Sequence, residues 1–352
     1  MERKMRRNKK KQCSRALKFL AFILFCGVAA FVAHRVYPGL ARNVPVELDS
    51  PVEIDLQAAG FESLYDIQAY ASLPSPSAEH AEIVPLPKMN VPLNSANALL
   101  MNFYTGEILH YQNGTTEMYP ASLVKMMTAL VAIENIGNLN EMVFLDESMF
   151  QPIHAANATT AGFLPNDSVR AIDLLFGLLL PSGAECAIGL AIHVAGSEHA
   201  FVAMMNDRAR ELGMNDTNFT NTTGLHYRNQ VSTAKDMAIL LRYALENETF
   251  YRIITSSRHS TAATGLREGG ITFHSTLFSR IESPEFYNGS ILGGRTGFTS
   301  QAGQNLASFA KVNGMRYILV TSGANPNGNH LTQALHVEDA FAMFGVIGGV
   351  NR

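Results

Sequence analysis

Alternating and uniformly apolar stretches predict β-strands at the beginning and at the end of the region that follows Ala96. Residues 98–111 form two such stretches around a turn that contains Gly106, which is typical of a β-hairpin. Asn313 and Gly314 separate two later stretches and are a strong signal for another hairpin. The later strands are predicted at 291–299, 305–312 and 315–322.

Between these strands the apolar residues recur with helical periodicity. Ser232 stands where one helix would have its N-cap, and residues 195–197 interrupt another. Strands at both ends with helices between them predict an α+β fold, with an antiparallel sheet of about five strands flanked by helices and a mostly helical subdomain. The helices are predicted from Ser122 onward, at 169–180, from Ala184 to about Leu212, at 232–245 and at 336–345.

The first 36 residues have the pattern of a targeting segment. Residues 1–18 carry nine basic residues and one acidic residue, and residues 19–33 are uncharged and apolar. A basic tail before an apolar segment places the N-terminus inside and the rest of the chain outside a membrane. We predict a cytoplasmic tail at 1–18 and a single-pass signal anchor at 19–36. The alternative is a cleaved signal peptide and a secreted protein, and both predict export.

Residues 37–88 contain many prolines and serines, as at 73–78 and 84–88. This composition is typical of a stalk or linker. We therefore predict one folded domain at 89–350, connected to the membrane through the N-terminal segment.

Composition limits the classes of partner and cofactor. The net charge is −3, but outside the basic tail the chain has 18 basic and 29 acidic residues, which argues against a nucleic-acid partner. Cys13, Cys26 and Cys186 lack the spacing of a disulfide or metal site, and Cys186 in an apolar run predicts a small buried side chain. The sequence has no zinc-protease, paired-carboxylate or phosphate-loop motif, so no metal or nucleotide cofactor is predicted.

Ser122 and Lys125 are the first candidates for chemistry. They are three residues apart at the start of an apolar helix, which puts both side chains on one face. Lys125 either extends to solvent along its aliphatic stem or is held near Ser122. An S-x-x-K match alone is weak, since about one is expected by chance in a chain of this length. The second match, Ser232 to Lys235, is better explained as a helix cap with its lysine on the solvated first turn.

Two further segments follow in the order of a known motif set. Residues 178–187 read LLLPSGAECA, with Ser182 at a bend between two helices, and residues 291–299 read ILGGRTGFT. Together with Ser122-x-x-Lys125 they resemble the S-x-x-K, S-x-N and K-T-G motifs of the D-alanyl-D-alanine carboxypeptidases, the low-molecular-mass penicillin-binding proteins. The resemblance covers roughly residues 95–325, and it includes segments 99–109, 211–226 and 232–238.

This resemblance implies a serine β-lactamase/transpeptidase-like fold and a role for each matched residue. Ser122 would be the nucleophile that forms an acyl-enzyme, Lys125 its base, and Ser182 the group that passes a proton to the leaving amine. The implied substrate is the stem peptide of peptidoglycan, and β-lactams would be covalent inhibitors. The segment 295–298 would bind the substrate, its terminal carboxylate through Arg295 and Thr296 and its oxyanion through the N–H of Phe298, beside Gly297.

Two positions depart from the family's motifs. Ala184 replaces the usual asparagine, which removes a positioning amide, and Arg295 replaces lysine, which keeps carboxylate binding but holds its proton. The leading hypothesis is an exported serine-type carboxypeptidase that removes the terminal D-alanine. The alternative is a weak or inactive relative that binds cell-wall peptide or a partner. A β-lactamase is a third interpretation, but no deacylating glutamate is identified in the sequence.

Overall fold

The computed structural model describes residues 91–325 and 333–349. The tail predicted at 1–18, the anchor at 19–36 and the linker at 37–88 lie outside the described residues. The domain predicted at 89–350 contains all the described residues, and its boundaries stay a prediction.

One antiparallel sheet of six strands forms the centre of the described region. In spatial order, its strands are β2 (Ile108–Gln112), β1 (Asn97–Asn102), β10 (Met315–Ala324), β9 (Gly303–Val312), β8 (Gly289–Thr299) and β7 (Glu285–Phe286). Its first and last strands in the sequence are neighbours, because β1 pairs with β10. The predicted fold class is confirmed, with a sixth strand, β7, of only two residues.

Two small ribbons of two strands each lie outside this sheet. They pair β3 (Met142–Phe144) with β4 (Ser168–Arg170), and β5 (Arg258–Ser260) with β6 (Thr272–His274). Both predicted hairpins of the main sheet are confirmed. Asn313 and Gly314 have φ angles of 51° and 81°, as a two-residue turn of type I′ requires.

Eight α-helices are described, and most are buried on one side or completely. They are α1 (Val124–Asn135), α2 (Phe150–Ala155), α3 (Ala171–Leu179), α4 (Ala184–Ala195), α5 (Glu198–Glu211), α6 (Ala234–Ala244), α7 (Glu248–Ile254) and α8 (Leu335–Ile347). In this part of the chain, no helix by itself combines the length and apolar character of a membrane span; α4 and α5 do so only together, across an 86° bend.

The bend between α4 and α5 confirms the predicted interruption of that helix. Gly196 ends α4 in the left-handed conformation, with φ of 74°, which glycine adopts without steric cost. Ser197 then caps α5 by accepting the N–H of Ala200 at 3.2 Å.

Two sequence predictions about helix ends are wrong. The helix predicted at 169–180 covers only Ala171–Leu179, because Val169 belongs to β4 and pairs with Val143. The predicted N-cap Ser232 is fully buried and exchanges two backbone hydrogen bonds with Met118. Thr233 is the cap of α6, and its hydroxyl accepts the N–H of Asp236 at 3.0 Å.

The sheet is buried on both faces, which explains its nearly continuous apolar strands. Leu99 and Leu100 are neighbours on β1, and both are fully buried. Leu99 belongs to the larger core, with the helices between β2 and β5, and Leu100 belongs to a smaller core closed by α8. The larger core brings the first turns of α1 and α4 close to β8, where the candidate site lies.

Candidate active site

Ser122 lies in a 3₁₀ turn, Ala121–Leu123, directly before α1. Ala121 has a φ of 49°, and Gly224 approaches its carbonyl group so closely that any side chain at 224 would overlap it. Ala121 and Leu123 are buried, whereas Ser122 is partly exposed. The turn therefore presents one hydroxyl to the cleft from an otherwise closed surface.

Lys125 does not extend to solvent, because it is only 3% exposed. Its Nζ lies 3.5 Å from the Ser122 Oγ and donates a hydrogen bond to the carbonyl oxygen of Thr223. Burial, and then the nearby charge of Arg295, lower the pKa of Lys125 to about 7. A large fraction of this amine is therefore uncharged near neutral pH, as a base for serine requires.

Ser182 lies just before α4 and points towards Ser122. Its Oγ donates to the Ser122 Oγ at 3.1 Å, and its φ of 80° is unusual for a residue with a side chain. A guanidinium group can only donate, so the hydrogen bond from Arg295 Nη2 to the Ser182 Oγ directs the proton of Ser182 towards Ser122. The left-handed backbone of Ser182 is a strained conformation, and such strain often marks a functional site.

Arg295 is the one cation of β8, and it is only 1% exposed. Besides Ser182 it donates to the carbonyl oxygen of Leu179 at 3.1 Å and to the Thr276 Oγ1 at 3.2 Å. Burial lowers the pKa of Arg295 to about 9, so the guanidinium keeps its charge at neutral pH. It thus forms a fixed positive wall behind Ser182.

The remaining predicted residues follow along β8. The Thr296 hydroxyl lies 2.7 Å from the Thr276 Oγ1. A Cβ at Gly297 would lie 3.1 Å from the Ser122 backbone nitrogen, so glycine permits the close approach of β8 to the serine turn. Phe298 is the next residue of the strand and pairs with Gln304.

The structure therefore brings Ser122, Lys125, Ser182 and Arg295 into one connected group and places 296–298 beside it. Ala184 lies at the start of α4, buried, and its N–H donates to the carbonyl oxygen of Thr159. The methyl group of Ala184 offers no polar atom in place of the missing amide.

Sequence reasoning missed three residues that shape the site. Thr223 acts through its main-chain carbonyl group, and no residue type signals such a role. Thr276 joins Arg295 to Thr296 from a segment without a recognisable motif. Glu185 belongs to none of the motifs, and its carboxylate binds the backbone of 161–163.

An open cavity of about 560 Å³ adjoins the group beside Pro181 and Thr276. Its wall is somewhat more apolar than polar, and Pro181 and Thr276 of this wall are a neighbour of Ser182 in the chain and a hydrogen-bond partner of Arg295. The lining residues are Ala161, Pro181, Thr272, Phe273, His274, Thr276, Ser279 and Arg280. Within residues 91–325 and 333–349, no cluster of three or more His, Cys, Asp or Glu side chains has the arrangement of a metal site.

Comparison with known proteins points to one family. Residues 85–326 match the family model of D-alanyl-D-alanine carboxypeptidase, peptidase S11. The chain is 29% identical over 255 residues to D-alanyl-D-alanine carboxypeptidase DacF of Bacillus subtilis, a match that covers 70% of this chain and 62% of that protein. It is 31% identical over 238 residues to DacC of Escherichia coli, covering 64% of this chain and 56% of that protein. The matches thus span only about three fifths of these relatives.

The fold is also similar to solved structures. The crystal structure of the Streptomyces K15 DD-transpeptidase superimposes with a TM-score of 0.65 and 24% identity, over 76% of this chain and all of that one. At this identity the similarity is one of fold.

Proposed function

Because the chain belongs to the D-alanyl-D-alanine carboxypeptidase family, we propose that it is a serine-type D-Ala-D-Ala carboxypeptidase. The observation that carries the proposal is the buried amine of Lys125, 3.5 Å from the Ser122 hydroxyl and with its pKa lowered to about 7. The substrate class is the stem peptide of peptidoglycan, from which the enzyme releases the terminal D-alanine.

Acylation begins when uncharged Lys125 accepts the proton of Ser122. One N–H of the amine stays bound to the Thr223 carbonyl oxygen, and the lone pair of the Lys125 nitrogen is free to accept that proton. The Ser122 Oγ forms a bond to the carbonyl carbon of the penultimate D-alanine, and the carbonyl electrons move to its oxygen. Backbone N–H groups of Ser122 and Phe298 stabilise this oxyanion.

The tetrahedral species collapses when its C–N bond breaks. Ser182 gives its proton to the departing amine of D-alanine, and the proton held by Lys125 restores the Ser182 hydroxyl. Arg295 holds Ser182 in this orientation throughout, and with Thr296 it attracts the terminal carboxylate of the substrate. Water then attacks the acyl carbon with Lys125 again as base, which regenerates Ser122.

A fluorescent penicillin tests this proposal, because a β-lactam should acylate the same serine. The full chain should give a covalent band and should release D-alanine from a pentapeptide. Ser122→Ala should abolish both, whereas Ser283→Ala, at an exposed loop serine, should retain them. A band that persists in Ser122→Ala would refute the assignment of the nucleophile.

A second candidate function is a weak or inactive relative that binds cell-wall peptide. Ala184 favours it, since its buried methyl group cannot hold the substrate or Lys125 as an amide would. Stoichiometric labelling by penicillin without D-alanine release would support this candidate.

We also propose that the protein is exported and attached to the cell membrane, with the catalytic domain outside. The basic residues of 1–18 before the apolar run 19–33 support this orientation, and the proposed substrate lies on that side. The mass of the protein recovered from membranes distinguishes an intact anchor from a cleaved signal peptide. Recovery of the full-length chain in the cytoplasm alone would contradict export.

A further inference from the structure

We propose that Glu185 is a positioning residue, whose buried carboxylate holds the loop 159–163 (the wall loop) against the start of α4 and so maintains one wall of the cleft. Its kinetic consequence rests on the function proposed above. Its structural consequence can be tested without any substrate.

The side chain of Glu185 is completely buried and binds three consecutive amides. Its Oε1 accepts the N–H groups of Ala161, Gly162 and Phe163 at 2.6, 2.9 and 3.3 Å. Successive N–H groups that converge on one oxygen form an anion-binding concavity. Each would be costly to leave without an acceptor in a buried place. The carboxylate therefore provides these N–H groups with the acceptor that a neighbouring strand would provide in a sheet.

Phe163 anchors one end of the wall loop in the larger core, and two other hydrogen bonds hold the loop. The N–H of Ala184 donates to the Thr159 carbonyl oxygen at 2.9 Å, and Arg267 Nη2 donates to the Gly162 carbonyl oxygen at 2.9 Å. Glu185 differs from these contacts because it fixes the centre of the loop from inside the protein. It also connects that centre to the first turn of α4, which begins two residues after Ser182.

The position of the wall loop matters for the catalytic group because the packing there is tight. Ala161 lines the open cavity together with Pro181. A Cβ at Gly183 would lie only 2.7 Å from the Ala161 Cβ and 2.9 Å from the Cys186 Sγ. A shift of Ala161 would therefore change the space beside Ser182, whose φ of 80° is maintained by its surroundings.

The charge of Glu185 also reaches Lys125. The pKa of Lys125 is lowered by burial and by the charge of Arg295, and it is raised by the charge of Glu185. Burial raises the pKa of Glu185, while its three amide donors favour the ionised form. The other carboxylate oxygen, Oε2, is buried without a hydrogen-bond partner among the described residues. Because the charge of Glu185 raises the pKa of Lys125, removal of that charge would lower this pKa further.

Two variants of the full chain separate the reach of the carboxylate from its charge. Glu185→Gln keeps the length and removes the charge, whereas Glu185→Asp keeps the charge and shortens the side chain. Glu107→Gln, at an exposed position in the turn between β1 and β2, is the matched control. Hydrogen exchange of the amides of 161–163 reports the wall loop, and acylation by fluorescent penicillin between pH 5.5 and 9 reports Lys125.

We expect exchange at 161–163 to be about tenfold faster in both variants than in the wild type, since charge-assisted hydrogen bonds are weakened. We expect acylation to fall about tenfold to a hundredfold as the wall moves. The acidic limb of the rate profile should shift to lower pH in Glu185→Gln and stay in place in Glu185→Asp. The Glu107→Gln control should match the wild type in all three measurements.

Unchanged exchange at 161–163 in a folded Glu185 variant would overturn the proposal. Faster exchange with wild-type acylation and an unshifted limb would also overturn it, because Glu185 would then be structural only. If Glu185→Gln does not fold, Glu185→Asp still decides through exchange and acylation rate. Absence of acylation in the wild type would refute the proposed function instead, and exchange would then decide alone.

Discussion

At the scale of single residues, the site places two cations and one carboxylate where water is excluded. Lys125, Arg295 and Glu185 are all at most 3% exposed. An isolated buried charge is costly, so a group that can lose its charge does so. The guanidinium of Arg295 keeps its proton, whereas the pKa of Lys125 is lowered to about 7. Of the two cations, only the amine is thus partly uncharged near neutral pH, as its proposed role as the base requires.

The first prediction concerns the pH dependence of acylation. Below its pKa of about 7, Lys125 is protonated and cannot accept the proton of Ser122. The acylation rate should therefore fall about tenfold for each pH unit below 7 and reach a plateau above it. Labelling with fluorescent penicillin, quenched at a series of times between pH 5.5 and 8.5, measures this acylation rate. A rate that is independent of pH in this range would contradict the role of Lys125.

The second prediction concerns His110 on β2, which is 6% exposed and has neither ring nitrogen hydrogen-bonded among the described residues. Burial lowers its pKa, so the unfolded chain takes up the proton first as the pH falls below about 6.5. The contribution of neutral His110 to stability is therefore present above that pH and is lost below it. His110→Phe should reduce the loss of unfolding free energy between pH 7.5 and 5.

Urea unfolding at the two pH values measures this difference. His199→Phe, at an exposed position on α5, is the control and should keep the wild-type pH dependence. Equal pH dependence in wild type and His110→Phe would show that His110 does not titrate on unfolding.

At the scale of secondary-structure elements, the site depends on the close approach of a turn, a loop and a strand. Gly224 packs against Ala121, and Gly297 of β8 packs against Ser122. The Asn305 side chain donates to the Tyr119 carbonyl oxygen at 2.8 Å, which joins β9 to the same turn. Small residues and backbone contacts, rather than side-chain packing, set these distances.

The third prediction follows from Gly224, which has a φ of 82° and no room for a side chain. Gly224→Ala should lower the free energy of unfolding by roughly 3 kcal/mol, because it combines a left-handed backbone with overlap against Ala121. Denaturant unfolding measures the change. Gly137→Ala is the matched control, since a Cβ at Gly137 has no atom within 4 Å. Equal stability of the two variants would contradict the tight packing of the serine turn.

The five long strands of the main sheet and the longer helices could be predicted from local sequence, with errors at two helix ends, whereas the short elements β3 to β7, α2 and α7 were not predicted. The Asn313-Gly314 hairpin and the interruption at Gly196 depend on turn chemistry that is local, so they were predicted correctly. The cap of α6 and the start of α3 depend on partners elsewhere in the chain, Met118 and Val143. Periodicity contains no information about those partners.

At the scale of the whole molecule, the start and the end of the described region are joined. Asp339 of α8 is 1% exposed and accepts four hydrogen bonds of 2.6 to 2.9 Å. They come from the backbone and side chains of Asn94 and Ser95. This contact fixes the segment that leads into β1, a strand that is separated from β8 by β10 and β9.

The fourth prediction is that Asp339→Ala lowers the free energy of unfolding by roughly 3 kcal/mol, because it leaves buried donors without an acceptor. Acylation of the folded fraction by penicillin should be unchanged, since Asp339 lies outside the group formed by Ser122, Lys125, Ser182 and Arg295. Asp207→Ala removes an exposed ion pair with Arg210 and should change stability by less than about 0.5 kcal/mol. A loss of acylation larger than the loss of folded protein would contradict this separation.

The α+β class and the order of the long strands and longer helices were determined by the sequence, because periodicity and turn chemistry are properties of neighbouring residues. The candidate residues Ser122, Lys125, Ser182 and Arg295 were identified in the sequence by their resemblance to the motifs of the family. The protonation of Lys125, the orientation of the Ser182 proton and the contact between Glu185 and the wall loop were decided only by the tertiary structure. Each depends on burial, and on distances between segments that lie far apart in the chain. Burial changes the cost of a charge, and proximity provides the hydrogen bonds that compensate for it.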